Sequence, residues 1–213
     1  MLFRGFTEDD FNVFAIKGLE NRMEALKTKI SPKLEAIGQH FAPSLSISTG
    51  QEMFPHVAKH ARRTINPPKD TWVAFANNPR GYKMAPHFQI GLWETHVFIW
   101  FAVIYEYQDK EEFSKLLTIT LDSIFTNTPA DFVWSIDHTK PAVIPHASLS
   151  KVDLQTMFDR LGSVKKAEIL CGIQIPREEA VALNADQIAT KIEGAFQQLL
   201  PLFQLSQKQI SYK

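Results

Sequence analysis

Residues 87–105 read H-F-Q-I-G-L-W-E-T-H-V-F-I-W-F-A-V-I-Y, and they carry most of the information on the fold of this chain. Phe88, Ile90 and Leu92 alternate with smaller or polar residues, a period of two that predicts a strand with one apolar face. The run 97–105 is apolar throughout, which favours a central strand covered on both faces, although a buried helix has the same composition. Because the turn between the two strands is too short for a parallel crossover, we expect an antiparallel pair. The expected core residues are Phe88, Ile90, Leu92, Val97, Ile99, Phe101 and Val103.

Three shorter runs outside this pair also predict strands. Residues 72–76 are rich in aromatic residues and lie between two proline-containing turns. Residues 132–136 and 167–175 alternate between apolar and other side chains. Cys171 falls in the apolar phase of the last run, so we expect it in the core as a small hydrophobic residue rather than as a nucleophile.

Apolar residues spaced by three and four positions predict helices in the rest of the chain. We expect the second helix to stop before Pro43, a long helix to extend through Phe125, and a later helix to end in a left-handed cap at Gly162. The helix starts are predicted from the capping or first-turn residues Thr7, Ser31 with Pro32, Asp109, Ser150 and Asn184.

Together these patterns predict the α+β class. We expect a single domain over residues 1–213, with a largely antiparallel sheet in the middle and helices from the N-terminal and C-terminal parts packed on it. The length of 213 residues is usual for one domain, and a hydrophobic content of 45% argues against a disordered chain. Residues 44–66 follow neither period and receive no assignment.

The composition excludes several classes of function. Lysine plus arginine and aspartate plus glutamate both number 23, so the chain lacks the basic excess of proteins that coat nucleic acids. The longest apolar run is far shorter than the roughly 20 residues of a membrane-spanning helix, so no membrane contact is expected. Cys171 is the sole cysteine, which excludes an internal disulfide and fits a reducing compartment. We therefore expect a cytoplasmic protein.

The sequence contains none of the motifs typical of dinucleotide, P-loop, zinc-peptidase or serine-hydrolase chemistry. We accordingly expect no cofactor and no metal. His56 and His60 are four residues apart, but Pro55 makes a helix doubtful there and no third ligand follows, so two surface histidines are the simpler interpretation. Asp137 and His138 are adjacent in a strand, where side chains point to opposite faces, which argues against a catalytic dyad.

The strongest functional signal is a local excess of positive charge. Six basic residues and two acidic ones lie between residues 51 and 90, and the basic groups flank the predicted strand at 72–76. Arginine offers planar, two-pronged donors for carboxylate or phosphate. Polar and aromatic residues on the next strand would lie beside them. The candidate ligand-binding residues are Arg62, Arg63, Arg80, Tyr82, Lys83, His87 and Trp93.

This cluster predicts a basic, aromatic cleft that binds an anionic small molecule or a nucleotide. An enzyme built on it would carry out acyl or nucleotidyl transfer, with arginines stabilising developing negative charge, but the sequence assigns no catalytic residue. One alternative is a non-catalytic regulatory or interaction protein that docks an acidic partner or a short single strand. The other is a solvated basic loop whose arginines pair with helix acids. If the cluster is a site, Arg62, Arg80 and Lys83 should converge on one concavity.

Three segments resemble a known family. They are G-F-T-E-D-D-F-N-V-F (5–14), H-V-A-K-H-A-R-R-T-I-N-P-P (56–68) and M-A-P-H-F-Q-I-G-L-W-E-T-H-V-F-I-W (84–100). These segments closely resemble the YktB-like family of uncharacterised bacterial proteins, and the resemblance extends over essentially the full length. It implies a cytoplasmic, single-domain α+β protein. It implies no activity, cofactor or catalytic residue.

Overall fold

The computed structural model describes residues 3–208, which fold around a seven-stranded sheet. The spatial order of the strands is β1-β2-β3-β4-β7-β5-β6, and neighbouring strands are antiparallel. The last strand in the sequence therefore lies inside the sheet, between β4 and β5. The strands are β1 (Phe54–Val57), β2 (Asp70–Ala76), β3 (His87–Trp93), β4 (His96–Val103), β5 (Val133–Ser135), β6 (Ile144–Pro145) and β7 (Ile169–Pro176).

The hairpin of β3 and β4 confirms the antiparallel pair predicted at residues 87–105. Leu92 pairs with Val97 beside the turn, and Phe88 pairs with Phe101 further along. Every residue of both strands is buried, so β4 is covered on both faces, as its uninterrupted apolar run predicts. The seven expected core residues are each at most 2% exposed.

The helices pack on one face of this sheet, which we call the helix-covered face. It presents Val73, Phe75, Phe88, Ile90, Leu92, Ile99, Phe101 and Cys171, which join the helices in one core. A π-helical turn, Leu26–Ile30, connects the second and third helices without a break. The helices are α1 (Glu8–Asn12), α2 (Leu19–Ala25), α3 (Ser31–Thr49), α4 (Lys110–Ile119), α5 (Leu121–Asn127), α6 (Lys151–Ser163), α7 (Arg177–Ala182) and α8 (Ala185–Ser206).

The prediction that Pro43 ends a helix is wrong. α3 continues through Pro43 to Thr49 and ends at Gly50, which adopts the left-handed conformation. A proline inside a helix removes one backbone hydrogen bond, but Phe41 and Leu45 on either side are buried against the core, and their packing holds the helix together. Residues 44–66, which the sequence left unassigned, thus contain the end of α3, strand β1 and a loop.

Two further helix predictions differ from the structure. The helix predicted from Asp109 is two helices, because the backbone breaks at Thr120, whose hydroxyl donates a hydrogen bond of 2.7 Å to the carbonyl of Leu116. Gly162 does not form a left-handed cap but lies inside α6. A Cβ atom at Gly162 would lie 2.7 Å from Oγ of Ser114, so the glycine allows α6 to approach α4 closely.

The predicted helix starts at Ser150 and Asn184 are confirmed. The side chains of Ser150 and Asn184 accept hydrogen bonds from the backbone amides of Asp153 and Gln187, which completes two capping boxes. The antiparallel sheet with helices before and after it confirms the α+β class. Among residues 3–208, no helix has both the length and the apolar character that crossing a membrane requires.

Candidate functional site

The second face of the sheet is contacted by loops and carries most of the buried polar groups of the strands. We call it the loop-covered face. Its strand residues alternate with those of the helix-covered face and include Asp70, Trp72, His87, Gln89, Trp93, His96, Phe98, Trp100 and Gln174. Residues of three loops, 58–69, 77–86 and 136–143, lie against it. A buried surface that mixes tryptophans with titratable groups is where binding or chemistry is expected.

Glycines in two strands leave space for aromatic side chains on this face. Gly91 pairs with Trp72 on one side and Phe98 on the other, and a Cβ atom there would lie 2.6 Å from Cβ of Trp72. A Cβ atom on Gly172 would lie 2.9 Å from Cε3 of Trp100 and would overlap the carbonyl oxygen of Ile99. Larger residues would lift the rings off the strands, so the two glycines set the shape of the aromatic floor.

A cavity of about 740 Å³ opens on this face beside Trp72 and Trp93. We call it the Trp72–Trp93 cleft, after the two indoles in its wall. Its charged and titratable lining consists of Arg22, Arg63, Lys69, Asp70 and His138. Arg22, Arg63 and Lys69 are positively charged at neutral pH. Among the described residues that line the cleft, Asp70 is the one acid. The cleft is therefore electropositive.

Arg22 fixes one wall of the Trp72–Trp93 cleft. Its Nε donates to the carbonyl of Ile16 at 2.9 Å, and its Nη1 donates to the carbonyl of Pro68 at 2.8 Å. This second bond ties the loop 58–69 to α2. Arg63 and Lys69, on the same loop, are exposed, so their charged groups remain available to a ligand.

Asp70, at the start of β2, is a buried acid in the same cleft. Only 7% of its surface is exposed. Burial raises the pKa of Asp70 to about 6, and the nearby charges of His138 and Arg63 offset only part of that rise. Its carboxyl group therefore changes protonation close to neutral pH, which is the range that suits proton transfer.

His138 faces Asp70 in the cleft and is held by Glu168. The Nδ1 of His138 donates to the Glu168 carboxylate at 2.7 Å, and the backbone amide of His138 donates to the same group at 2.9 Å. Burial lowers the pKa of His138, but the hydrogen bond and the charge of Glu168 outweigh burial and raise it above the ordinary value. Within residues 3–208, Nε2 of His138 makes no hydrogen bond, so it is available to a molecule in the cleft.

Two other histidines on the loop-covered face are neutral. Gln89 donates an amide hydrogen to Nε2 of His87 at 2.8 Å, and Nδ1 of His87 donates to the carbonyl of Ala85 at 2.7 Å. Gln174 contacts His96 in the same way at 3.0 Å. Burial lowers the pKa of each histidine to about 4. Both rings are fully hydrogen-bonded, so they support the floor and take no part in proton transfer at neutral pH.

The structure brings together two of the seven residues that the sequence singled out. Arg63 and Trp93 line the Trp72–Trp93 cleft. Tyr82 lies beside it, because its hydroxyl accepts a hydrogen bond of 3.1 Å from Nε1 of Trp72. Arg62 is exposed on the loop 58–69, close enough for its charge to act on Tyr82.

The other three residues have separate environments. His87 packs its ring against Tyr82, with centroids 4.9 Å apart, beneath the loop 77–86. Lys83 places Nζ 3.6 Å from a carboxylate oxygen of Glu106. Arg80 is exposed on the turn after β2, at the opposite end of that strand from Asp70, and it does not line the Trp72–Trp93 cleft.

The weaker sequence candidates are also located. His56 bonds to the carbonyl of Asn78, and His60 contacts Thr71. Among the described residues, no three His, Cys, Asp or Glu side chains are grouped as metal ligands would be. Cys171 is buried in the core as expected, and burial raises the pKa of its thiol, which makes it a poor nucleophile. Asp137 does not bond to His138 but to Lys140 and Thr139.

Sequence reasoning missed Asp70, His138 and Glu168 as a group. Glu168 is separated from His138 by 30 positions, and only the pairing of β5 with β7 brings them together. One signal was present. Glu168 is an acid beside an otherwise apolar strand, in the phase opposite to Cys171, and a buried acid in such a position requires a partner.

Comparison with known proteins supplies a family but no activity. UPF0637 proteins of Bacillus velezensis and Bacillus mycoides are 54% and 56% identical over 203 and 205 residues, which cover 95% and 96% of this chain and 97% and 99% of theirs. A conserved hypothetical protein from Pyrococcus furiosus is 12% identical, with a TM-score of 0.38 over 87% of this chain and 99% of that chain, a likeness too weak to carry an argument. A family described as a domain of unknown function, DUF1054, matches residues 6–203. The resemblance seen in the sequence is thus confirmed, and the chain belongs to the DUF1054 family of uncharacterised bacterial proteins.

Proposed function

We propose that the Trp72–Trp93 cleft binds an anionic small molecule with a flat apolar part, such as a nucleotide. The observation that carries this proposal is the meeting of three cations, Arg22, Arg63 and Lys69, with two indoles in one cavity. Arginine and lysine recognise phosphate or carboxylate groups, and indoles give apolar surface for a ring. The volume of about 740 Å³ lies within the range of small-molecule sites.

The exposed, unpaired positive charges of the cleft favour an anionic ligand over a neutral one. Arg22 is committed to two backbone carbonyls, whereas Arg63 and Lys69 are exposed and make no ion pair among the described residues. Asp70 can offset only one of the three positive charges in the lining, and burial, which raises its pKa to about 6, weakens that offset as the pH falls toward 6. A ligand anion would complete the electrostatic balance.

The remaining sequence candidates fit this proposal as supporting residues. Tyr82 holds the Trp72 indole by a hydrogen bond and rests on His87, so both position the wall without touching the ligand. Arg62 adds positive charge at the outer edge. Lys83, paired with Glu106, and Arg80, at the far turn, are peripheral to the cleft in this proposal.

A thermal-shift screen tests the proposal. The probes are nucleoside mono-, di- and triphosphates, phosphorylated sugars and dicarboxylates, because these differ in ring and anionic group. A ligand present at 100 times its Kd stabilises the native state by about 2.7 kcal/mol, which the melting temperature reveals. We expect Arg63→Gln and Lys69→Gln to abolish the shift.

The matched control is Arg80→Gln, which makes the same change of charge on the exposed turn and should keep the full shift. If no probe raises the melting temperature of the wild type, or if Arg63→Gln and Arg80→Gln respond alike, the cleft is not the anion site. Loss of the shift in Arg80→Gln alone would favour the broader site around Arg62, Arg80 and Lys83 that the sequence suggests.

The competing function is docking of an acidic partner or a short single strand. It is favoured by the loop 58–69, which has four exposed cations, Lys59, Arg62, Arg63 and Lys69, and no acid. Binding of a polyanion weakens steeply as salt increases, because counterions are released. Binding that needs all four cations and falls linearly on a logarithmic salt scale would replace the small-molecule proposal.

We further propose that the protein works in the bacterial cytoplasm. The lone Cys171 is buried among apolar residues and makes no disulfide, which fits a compartment where thiols stay reduced. Cell fractionation followed by antibody detection would test this assignment, and recovery from the culture medium would contradict it.

A further inference from the structure

A second cavity adjoins the Trp72–Trp93 cleft at His138 and Thr139. Its volume is about 510 Å³, and we call it the Arg160 cavity. It shares His138 and Thr139 with the Trp72–Trp93 cleft, whereas Glu168 lines only the Arg160 cavity. The two cavities are therefore adjacent.

Three cations line the Arg160 cavity. They are Lys140 on the loop 136–143, Arg160 in the last turn of α6, and Lys166 in the turn before β7. Two acids, Asp137 and Glu168, also line it. The ion pairs among these five residues therefore decide which positive charges are available to a ligand.

Both acids are already engaged. Asp137 lies 2.9 Å from Nζ of Lys140 and accepts two hydrogen bonds from Thr139. These contacts lower the pKa of Asp137 to about 2, so its carboxyl group is ionised at neutral pH and is paired with Lys140. Glu168 is bound to His138. Within residues 3–208, neither acid forms an ion pair with Arg160 or Lys166, whose charges remain unmatched.

Arg160 shows a second sign of a missing partner. Its Nη1 atom is buried and makes no hydrogen bond in the part of the chain that the structure describes. A buried guanidinium nitrogen without an acceptor costs free energy, and nearly all such groups in folded proteins are satisfied by protein, water or ligand. An oxyanion in the cavity would accept from this nitrogen and also neutralise Lys166.

We infer that the Arg160 cavity is a second anion subsite, which binds a phosphate or carboxylate group between Arg160 and Lys166. It is distinct from the Trp72–Trp93 cleft, and it stands or falls on different residues. If both sites are occupied, the two anionic groups lie in adjacent cavities that share His138, and Nε2 of His138 is available to one of them because Nδ1 is bonded to Glu168. The natural ligands are then either one molecule with two anionic groups or two anionic molecules held side by side.

Calorimetric titration with inorganic phosphate, and separately with acetate, tests the subsite at constant ionic strength in a buffer without other anions of this kind. We expect saturable binding of at least one of them when Arg160 and Lys166 are intact. Arg160→Gln should weaken it about 10-fold or more, since a hydrogen bond to a charged group is lost. Lys166→Gln should weaken it less, because Lys166 is exposed. The relative strength of the two probes distinguishes a phosphate subsite from a carboxylate subsite.

Arg80→Gln is the control, because it removes an exposed arginine that lines neither cavity, and it should leave the affinity unchanged. All titrations are made in the Arg63→Gln background, so that binding in the Trp72–Trp93 cleft does not contribute. If Arg160→Gln does not fold, Arg160→Lys keeps the charge at the end of α6 but loses the planar donor pair, and it should weaken binding by a smaller factor. Equal affinity in Arg160→Gln and Arg80→Gln, or no saturable binding of either probe when Arg160 and Lys166 are intact, overturns the inference. Neither result bears on the first cleft, which depends on Arg63 and Lys69.

Discussion

The two faces of β3 and β4 are both buried but differ in chemistry. On β3, Phe88, Ile90 and Leu92 point to the helix-covered face, are fully buried and belong to the apolar core. On the same strand, His87 and Gln89 point to the loop-covered face and are 0% and 4% exposed. Burial alone therefore does not distinguish a structural face from a functional one.

The difference lies in what burial does to free energy on each side. Apolar side chains gain free energy when removed from water, whereas buried polar and charged groups lose it unless they are bonded. Helices can cover a purely apolar face completely. Loops leave cavities over a polar face, and there the protein retains an acid, Asp70, whose burial is unfavourable. A buried titratable group that lowers the stability of the fold and is nevertheless retained is typical of a functional site.

The largest effect is expected on the helix-covered face. Phe88 stacks on Phe203 and packs edge-on against Phe196, with centroid distances of 5.3 and 5.1 Å. Phe88→Ala should lower the free energy of unfolding by about 3–5 kcal/mol, measured by urea denaturation, because it leaves a cavity. Its neighbour on the other face, Gln89→Ala, should cost about 1–2 kcal/mol, since it removes one hydrogen bond to His87.

Equal costs at these two positions would contradict the division of roles between the faces. If Phe88→Ala does not fold, Phe88→Leu should still lower stability, by about 1 kcal/mol, because most of the buried volume remains.

The second effect has the opposite sign. Folding raises the pKa of Asp70 from 3.8 to about 6, so the native state holds this proton more tightly, and stability falls as the pH rises between these values. Asp70→Asn removes the penalty and should stabilise the protein by about 2 kcal/mol at pH 7.5. The gain should vanish below pH 4. Thermal melts of both proteins at pH 4 and pH 7.5 provide the check, and destabilisation by Asp70→Asn at pH 7.5 would show that the carboxylate is favourably bonded.

A smaller effect is expected at the His138–Glu168 pair. The folded state raises the pKa of His138 above 6.5 through Glu168, so the pair stabilises the protein fully below pH 6.5, and the contribution is lost as the pH rises through the folded pKa. Glu168→Gln should cost about 1 kcal/mol at pH 5.5 and less at pH 8.5. An NMR titration of the imidazole should show a lower pKa of His138 in the variant. An unchanged value would mean that Glu168 does not control this histidine.

The smallest effect concerns the wall of the first cleft. Tyr82→Phe removes the hydroxyl that accepts a hydrogen bond from Nε1 of Trp72, which should cost about 0.5 kcal/mol. If Tyr82 positions the indole for a ligand, the variant should also weaken binding of whichever probe shifts the wild type, whereas His56→Ala, which removes another ring near Tyr82, should leave binding unchanged. Loss of stability without any loss of binding would limit Tyr82 to a structural role.

The sequence predicts those parts of the fold that depend on nearby residues. The hairpin at 87–105 follows from period-two alternation and a short turn, and the capping boxes at Ser150 and Asn184 involve positions only three apart. The sequence does not predict strand β1, because Pro55 and His56 break any alternation, and the edge position of the strand allows both residues. The prediction at Pro43 is wrong because the buried contacts of the residues on either side outweigh the low helix propensity of proline.

The candidate site was predictable only in part, for a related reason. The sequence shows that Arg63 is basic and that Trp93 is in phase with other side chains of β3, and the structure brings these two together. The sequence does not show which loops come together in the folded protein. Arg80 is as basic as Arg63 and closer in sequence to β2, but it follows the strand rather than precedes it, and so it lies at the other end. His138 and Glu168 meet only because β7 enters the sheet next to β5.

The position of β7 also affects how the chain folds while it is synthesised on the ribosome. β5 and β6 are synthesised before β7, but β5 reaches the rest of the sheet only by pairing with β7. Until residue 176 has left the exit tunnel, β4 presents an apolar edge with no neighbour, which is prone to pair with other chains. The nascent chain therefore passes through a vulnerable interval of about 70 codons after β4, and slow translation across this interval should increase aggregation, whereas slow translation after β7 should not.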